Sequence, residues 1–307
     1  MIKRKLKSPN ERFGIAVRRG YVSVVRILLK KHNCDVNQET SPSVKDKPLF
    51  IALSQICSQN DRYHDISKVL MMQTHTKIKA EEGRESILEM LCATKCKSVI
   101  GVQLLLQDNR VDVNAGHYTP LYQAAKNCKE EGDYFHTVAK LLLRHKRIDV
   151  NAGGFKTLPC GTTFSHLCKL GSVTRFGFSL VLNAKNIKLY QWDPWINLVQ
   201  NERLDLLEIL LHHATRYVEN KNSWYSKWVV RCYQHVILER LDSNYGKAFR
   251  TMLKAGVDPS IKVQDLIKRD SPLFEFHIRK WGFSRHFRTD PEGFEICRLL
   301  VEQKICL

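Results

Sequence analysis

One phrase is written twice in this chain. RVDVNAG at residues 110–116 returns as RIDVNAG at residues 147–153, and aligning Asp112-Val113-Asn114 on Asp149-Val150-Asn151 fixes an offset of 37 residues. A shorter echo, CDVNQ at residues 34–38, lies about two such periods upstream. Each copy follows an aliphatic triplet: Ile27-Leu28-Leu29, Leu104-Leu105-Leu106 or Leu141-Leu142-Leu143. A repeat of this length constrains the fold more than composition does, because one such unit cannot bury its apolar face alone. Stacked neighbours must supply the core, so each unit contacts chiefly the units before and after it.

Two helices are legible in each unit. In TPLYQAA (residues 119–125), Thr119 is placed to cap a helix and Pro120 to fill its first turn, where no backbone donor is required. Leu121, Ala124 and Ala125 then recur at helical spacing, small where paired helices approach closely. A second helix is read in GYVSVVRILL (residues 20–29) and again in ERLDLLEILL (residues 202–211), both with apolar pairs broken by polar residues.

These lines resemble the ankyrin repeat, with its Thr-Pro-Leu-His-x-Ala opening and its Gly-His-x-x-Val-Val-x-Leu-Leu-Leu second half; Tyr122 stands where the family has histidine. The resemblance implies an all-α, ankyrin-type helical solenoid of about eight helix pairs joined by short β-hairpin-like fingers. The openings fall at ERFGIAV, KPLFIAL, SILEMLC, TPLYQAA, TTFSHLC, DPWINLV, a degenerate KWVVRCY and SPLFEFH. The second helices centre on Leu28, Leu70, Leu105, Leu142, Val181, Leu210, Leu253 and Leu300. Residues 1–9 read as a basic tail, 10–260 as about seven units, and 261–307 as a divergent last repeat or a helical cap. Insertions at residues 58–65, 128–133 and 278–293 are polar, two of them carrying glycine, and are expected as loops between the helices of a unit.

The chain has no apolar run of about 20 residues, the length a membrane helix needs, and no apolar segment behind its basic start. No asparagine begins a glycosylation sequon, and cysteines such as Cys92, Cys168 and Cys297 sit inside apolar helical patterns. A cytoplasmic monomer with reduced, buried thiols is expected. KRKLK, with Lys3, Arg4, Lys5 and Lys7, also has the form of a short nuclear-import signal.

No cofactor or metal is expected. Cys92 with Cys96, and Thr162 with His166 and Cys168, lack the second tight pair that a structural zinc site uses. His212-His213 reads as a helix end, where histidine suits the negative pole. No phosphate loop, nucleophile elbow or metalloprotease helix is written, and Cys160 in LPCGTTFSH sits where a finger leads into a helix cap. The enzyme alternative would draw on Trp224, Tyr225, Trp228, His235, His277 and Trp281 within residues 220–307.

Charge is the stronger functional clue. The chain carries a formal +18, and residues 1–31 hold ten Lys or Arg against Glu11 alone (10 − 1 = +9), half of the excess. A solvated end, a contact with an acidic protein or anionic membrane, and nucleic acid all fit such a segment. Phe13 and Tyr21 are its only aromatics and sit at helix-packing positions, which disfavours nucleic acid.

The resemblance implies a non-catalytic scaffold that binds a protein partner through its concave face, a role that such stacks also fill in microbial and viral effectors. The variable pair ending each first helix would line that face: Arg18-Arg19, Ser54-Gln55, Ala93-Thr94, Lys126-Asn127, Lys169-Leu170 and Gln200-Asn201. None of these is acidic, so a partner with an acidic or acceptor-rich surface is expected.

Overall fold

The computed structural model describes residues 8–37, 47–58, 61–73, 76, 85–96, 99–153, 162–187, 189, 194–217 and 251. Among them stand twelve α-helices and no strand. The chain divides into two compact units, residues 1–167 with 176–187 and residues 168–175 with 188–307.

The first unit contains α1 (Pro9–Arg19), α2 (Val22–His32), α3 (Pro48–Gln55), α4 (Arg62–Met71), α5 (Ile87–Ala93), α6 (Ile100–Gln107), α7 (Pro120–Asn127) and α8 (Tyr134–Arg144). Three of the four first helices, α1, α5 and α7, open on a side-chain cap, whereas α3 opens on Pro48 without one. Ser8 and Glu11 form a reciprocal capping box on α1, while Ser86 accepts from the Glu89 amide on α5 and Thr119 from the Tyr122 amide on α7. Helix α1 therefore starts at Pro9, one residue inside the segment expected as a tail. Its end is set by Gly20, whose φ of 73° is left-handed and whose missing Cβ admits the Arg62 side chain.

Odd-numbered helices pack in a row, α1 on α3, α3 on α5 and α5 on α7, and each also holds its own second helix. Helix α2 packs on α4 and α6 on α3, so every pair leans on the one before it. The core is the apolar stripe of each helix: Phe13, Val17 and Val25 in the first pair, Leu53, Ile66 and Leu70 in the second, and Ala124, Ala125, Val138 and Leu142 in the fourth. All six second-helix centres that lie on described residues, Leu28, Leu70, Leu105, Leu142, Val181 and Leu210, are buried as the repeat register requires.

The fifth pair, α9 (Thr163–Lys169) and α10 (Arg175–Leu182), spans the division between the units. Phe164 and Phe178, both in the first unit, meet at 5.1 Å between ring centroids. In the second unit α11 (Pro194–Gln200) packs on α12 (Leu204–Tyr217), burying Leu198, Leu206 and Leu210.

Three expectations are corrected. The fingers at residues 111–118 and 148–153 are turns held by side chains, not β-hairpins, because their bonds run from asparagine to the next finger and not strand to strand. The insertion at 58–65 is shorter than read: Asp61 accepts from the Tyr63 amide and starts α4 at Arg62. His212 and His213 do not end a helix, since α12 runs on to Tyr217, and His212 lies 3.9 Å from Glu208 one turn back. The expected seventh and eighth units, the loop at 278–293, Lys3, Arg4, Lys5 and Lys7, and the six aromatic and histidine residues of the enzyme alternative lie outside the described residues.

Candidate interaction face

The repeated phrase is a stitch between neighbouring repeats of the first unit. Asp112 and Asp149 each accept the amide of the asparagine two residues on, at 2.9 Å, which folds the finger into an Asx turn. The freed asparagine side chain then reaches forward. Asn114 donates to the Arg147 carbonyl at 2.9 Å and accepts from the Asp149 amide at 2.9 Å. Asn151 repeats the first bond on Asn186 at 2.9 Å. The valines between them, Val113 and Val150, are buried beneath the turn.

Arginines bind the opposite way. Arg147 donates to the carbonyls of Asp108, Asn109 and Val111 at 2.9 to 3.1 Å, tying the fourth pair to the finger before it. Arg110 reaches Met71 at 2.6 Å while its guanidinium grips Asp108, and those bonds hold the Asp108 carboxyl below its ordinary range although partial burial opposes them. In the second unit Arg203 does the same on Gly171 and Val173, both at 2.7 Å, with Asp205 as its anchor.

At the third and fourth pairs the finger rests on a buried acid. Glu89, 1% exposed, accepts from the amides of His117 at 2.8 Å and Tyr118 at 2.9 Å, and from Gln123 at 3.2 Å. Burial pushes its carboxyl above the ordinary range, and the amide bonds only partly offset this. Gly116, at φ 151°, is the close-approach point, because a Cβ there would strike the Glu89 carboxylate.

Above this clasp, four rings and a cation gather. Tyr118 stacks on Tyr122 at 4.8 Å, His166 from α9 meets both edge-on at 6.0 Å, and His117 packs edge-on against Tyr118 at 4.8 Å. The Lys126 ammonium lies 5.9 Å from the Tyr122 ring centre. Tyr118, His117, His166 and Lys126 are half-buried, so the cluster is packed beneath and open above.

Each sequence-expected site residue that ends a first helix is found there, but their polar groups differ. Arg18 and Arg19 end α1 exposed, and the Arg18 carbonyl accepts from the Tyr63 hydroxyl at 2.8 Å. Lys126 joins the aromatic cluster. Ser54 turns inward to the Ile51 carbonyl, and Asn127 to that of Gln123. In the second unit Asn201 donates to Lys169 at 3.1 Å and Cys168 at 3.3 Å, while Lys169 and Gln200 are exposed. Gln55 is half-buried. Asn127 and Asn201 are thus structural, while Arg18, Arg19 and Lys169 are exposed.

Nucleophiles among the described residues are quiet. Burial raises the Cys92 and Cys168 thiols well above their ordinary value and carries Cys128 up to about 11. None of the six described cysteines is in a disulfide, four of the six are buried, and no group of three His, Cys, Asp or Glu side chains gathers among the described residues as metal ligands. No helix among those residues is long and apolar enough to cross a membrane.

No curated protein matches the chain. Residues 15–41, from the middle of α1 through α2 into the first finger, match the family model of the ankyrin repeat. That match, with the stacked helix pairs that continue its register, supports an ankyrin-repeat protein.

Proposed function

We propose that this chain is a non-catalytic interaction module whose first unit grips an acidic or acceptor-rich surface of a protein partner along its fingers and first-helix ends. Ankyrin repeats are protein-interaction modules, and fold alone does not choose the partner or the face. The observation that carries the reading is the open cluster of Tyr118, Tyr122, His166 and Lys126, rigidly backed by the Glu89 clasp. Tyr118, half-exposed and stacked on the buried Tyr122, is the kind of side chain that dominates protein interfaces, since it offers much contact area at small entropic cost. Lys126, Arg18 and Arg19 supply the cationic side, with no carboxylate at the equivalent positions.

Quantitative affinity capture tests this. The wild-type chain is compared with Tyr118→Ala and with Arg18→Glu/Arg19→Glu/Lys126→Glu, each checked for an unchanged melting curve. The expected result is one set of captured proteins lost from both variants, with the charge variant slowing association in titrations at low salt. Capture that survives both variants would move the binding face elsewhere.

A further inference from the structure

Alignment of the second helices on their buried centres puts Val24 of α2 at the position of Ile66 in α4, Gly101 in α6, Val138 in α8 and Gly177 in α10. The later four are buried, whereas Val24 is 41% exposed. Ile27 and Tyr21, on the same edge of α2, are 51% and 48% exposed, while Tyr63, the equivalent of Tyr21, is buried.

In later pairs this seam has one use, which is to receive the C-terminal turn of the preceding first helix. The Tyr63 hydroxyl donates to the Arg18 carbonyl of α1. A Cβ on Gly101 would come to 2.5 Å from the Leu53 carbonyl oxygen of α3, and one on Gly177 would collide with the Ala125 carbonyl oxygen of α7. On α2 the same seam has no helix in front of it among the described residues.

We propose that the open seam of Tyr21, Val24 and Ile27 docks the C-terminal turn of an acidic helix belonging to a protein partner, at a site separate from the finger face. The choice of occupant follows from charge. Lys31 lies on the same helical edge as Val24 and Ile27 and Lys30 beside Ile27; both are exposed, and neither has a carboxylate partner among the described residues. A helix C-terminus is the negative pole of its dipole, and acidic side chains there add to the attraction. A second copy is a poor occupant, because its own first helices end in Arg18-Arg19 or Lys126 and the chain carries +18. An anionic membrane is also a poor one: Val25 and Leu28 are buried within the protein, which leaves a stripe too narrow for an interfacial helix.

The test uses the full chain and a synthetic helical peptide of about 20 residues, long enough to hold helix in water, with leucines on one edge and glutamates towards its C-terminus. A glutamate-to-lysine version and phosphatidylserine vesicles serve as comparisons. Wild-type protein is expected to bind the glutamate peptide at low salt. Val24→Ser/Ile27→Ser and Lys30→Glu/Lys31→Glu should each weaken it by about tenfold or more, as loss of an interface anchor does. Melting curves should be unchanged, since these side chains lie outside the core, and Tyr118→Ala should leave this binding intact, which separates it from the finger face. No binding of the glutamate peptide, equal binding of the lysine peptide, or binding that survives both double variants would overturn the proposal. Stripe-dependent capture by vesicles in place of peptide would assign the seam to membrane, and stripe-dependent dimerisation in sedimentation would assign it to a second copy; either would also overturn it.

Discussion

Glu89 shows how much a single residue can carry in a repeat. Its carboxylate serves two finger amides and Gln123 from a buried position, so Glu89→Ala strands those donors and opens a void. The expected loss is about 2 to 3 kcal/mol in urea unfolding, the cost of leaving buried polar groups unpaired. The pH dependence has a definite sign. With its folded value raised above the ordinary 4.5, Glu89 holds its proton more tightly folded than unfolded. Its contribution is therefore fullest below 4.5 and is lost as pH rises through the raised folded value. Glu89→Gln should flatten stability against pH over that window; an unchanged profile would mean that another group sets it. Gly177→Ala should cost about 1 to 3 kcal/mol, because the added methyl meets backbone, which yields less than side chain. Neither role was legible in the sequence: SILEMLC gives an acid inside an apolar run, a signal in itself, but its partners lie 28 to 34 residues away.

At the scale of the element, the helices were largely readable and the fingers only half so. Period, caps and buried centres are local consequences of sequence, so Thr119, Pro120 and Leu142 take the places their spacing assigns. Leu142→Ala should destabilise by about 2 to 5 kcal/mol, as removal of a fully buried leucine does. A loss under about 0.5 kcal/mol would place Leu142 on a wet face and break the register. The family resemblance implied hairpin-like fingers, whereas the asparagines of the repeated Asp-Val-Asn bond forward to the next finger. Asn114→Ala should therefore cost about 1 kcal/mol and speed amide exchange at Asp149, whose amide donates to the Asn114 side-chain oxygen, more than at residues before the turn. The arginines that tie units backward, Arg110 and Arg147, stand 37 residues apart like the phrases they precede. That spacing was an available signal, but their carbonyl partners are non-local and appear only when the units are stacked.

At the scale of the whole molecule, the excess of basic charge and the arrangement of the first unit point the same way. A +18 chain attracts acidic surfaces from a distance, and in the proposed function the packed rings with Lys126 beside them are the place to land. Charge bias was readable from composition; the aromatic cluster was not, because Tyr118, Tyr122 and His166 come from a finger and two helices that only stacking brings together. Raising salt should slow association more than it speeds dissociation, since exposed cations act mainly on encounter. The most direct measurement of the binding face is amide hydrogen exchange on the chain with and without its captured partner. Protection is expected across residues 115–127, the finger and α7, together with the end of α1. Protection confined to residues outside these segments, with 115–127 exchanging as in the free protein, would contradict the proposed face.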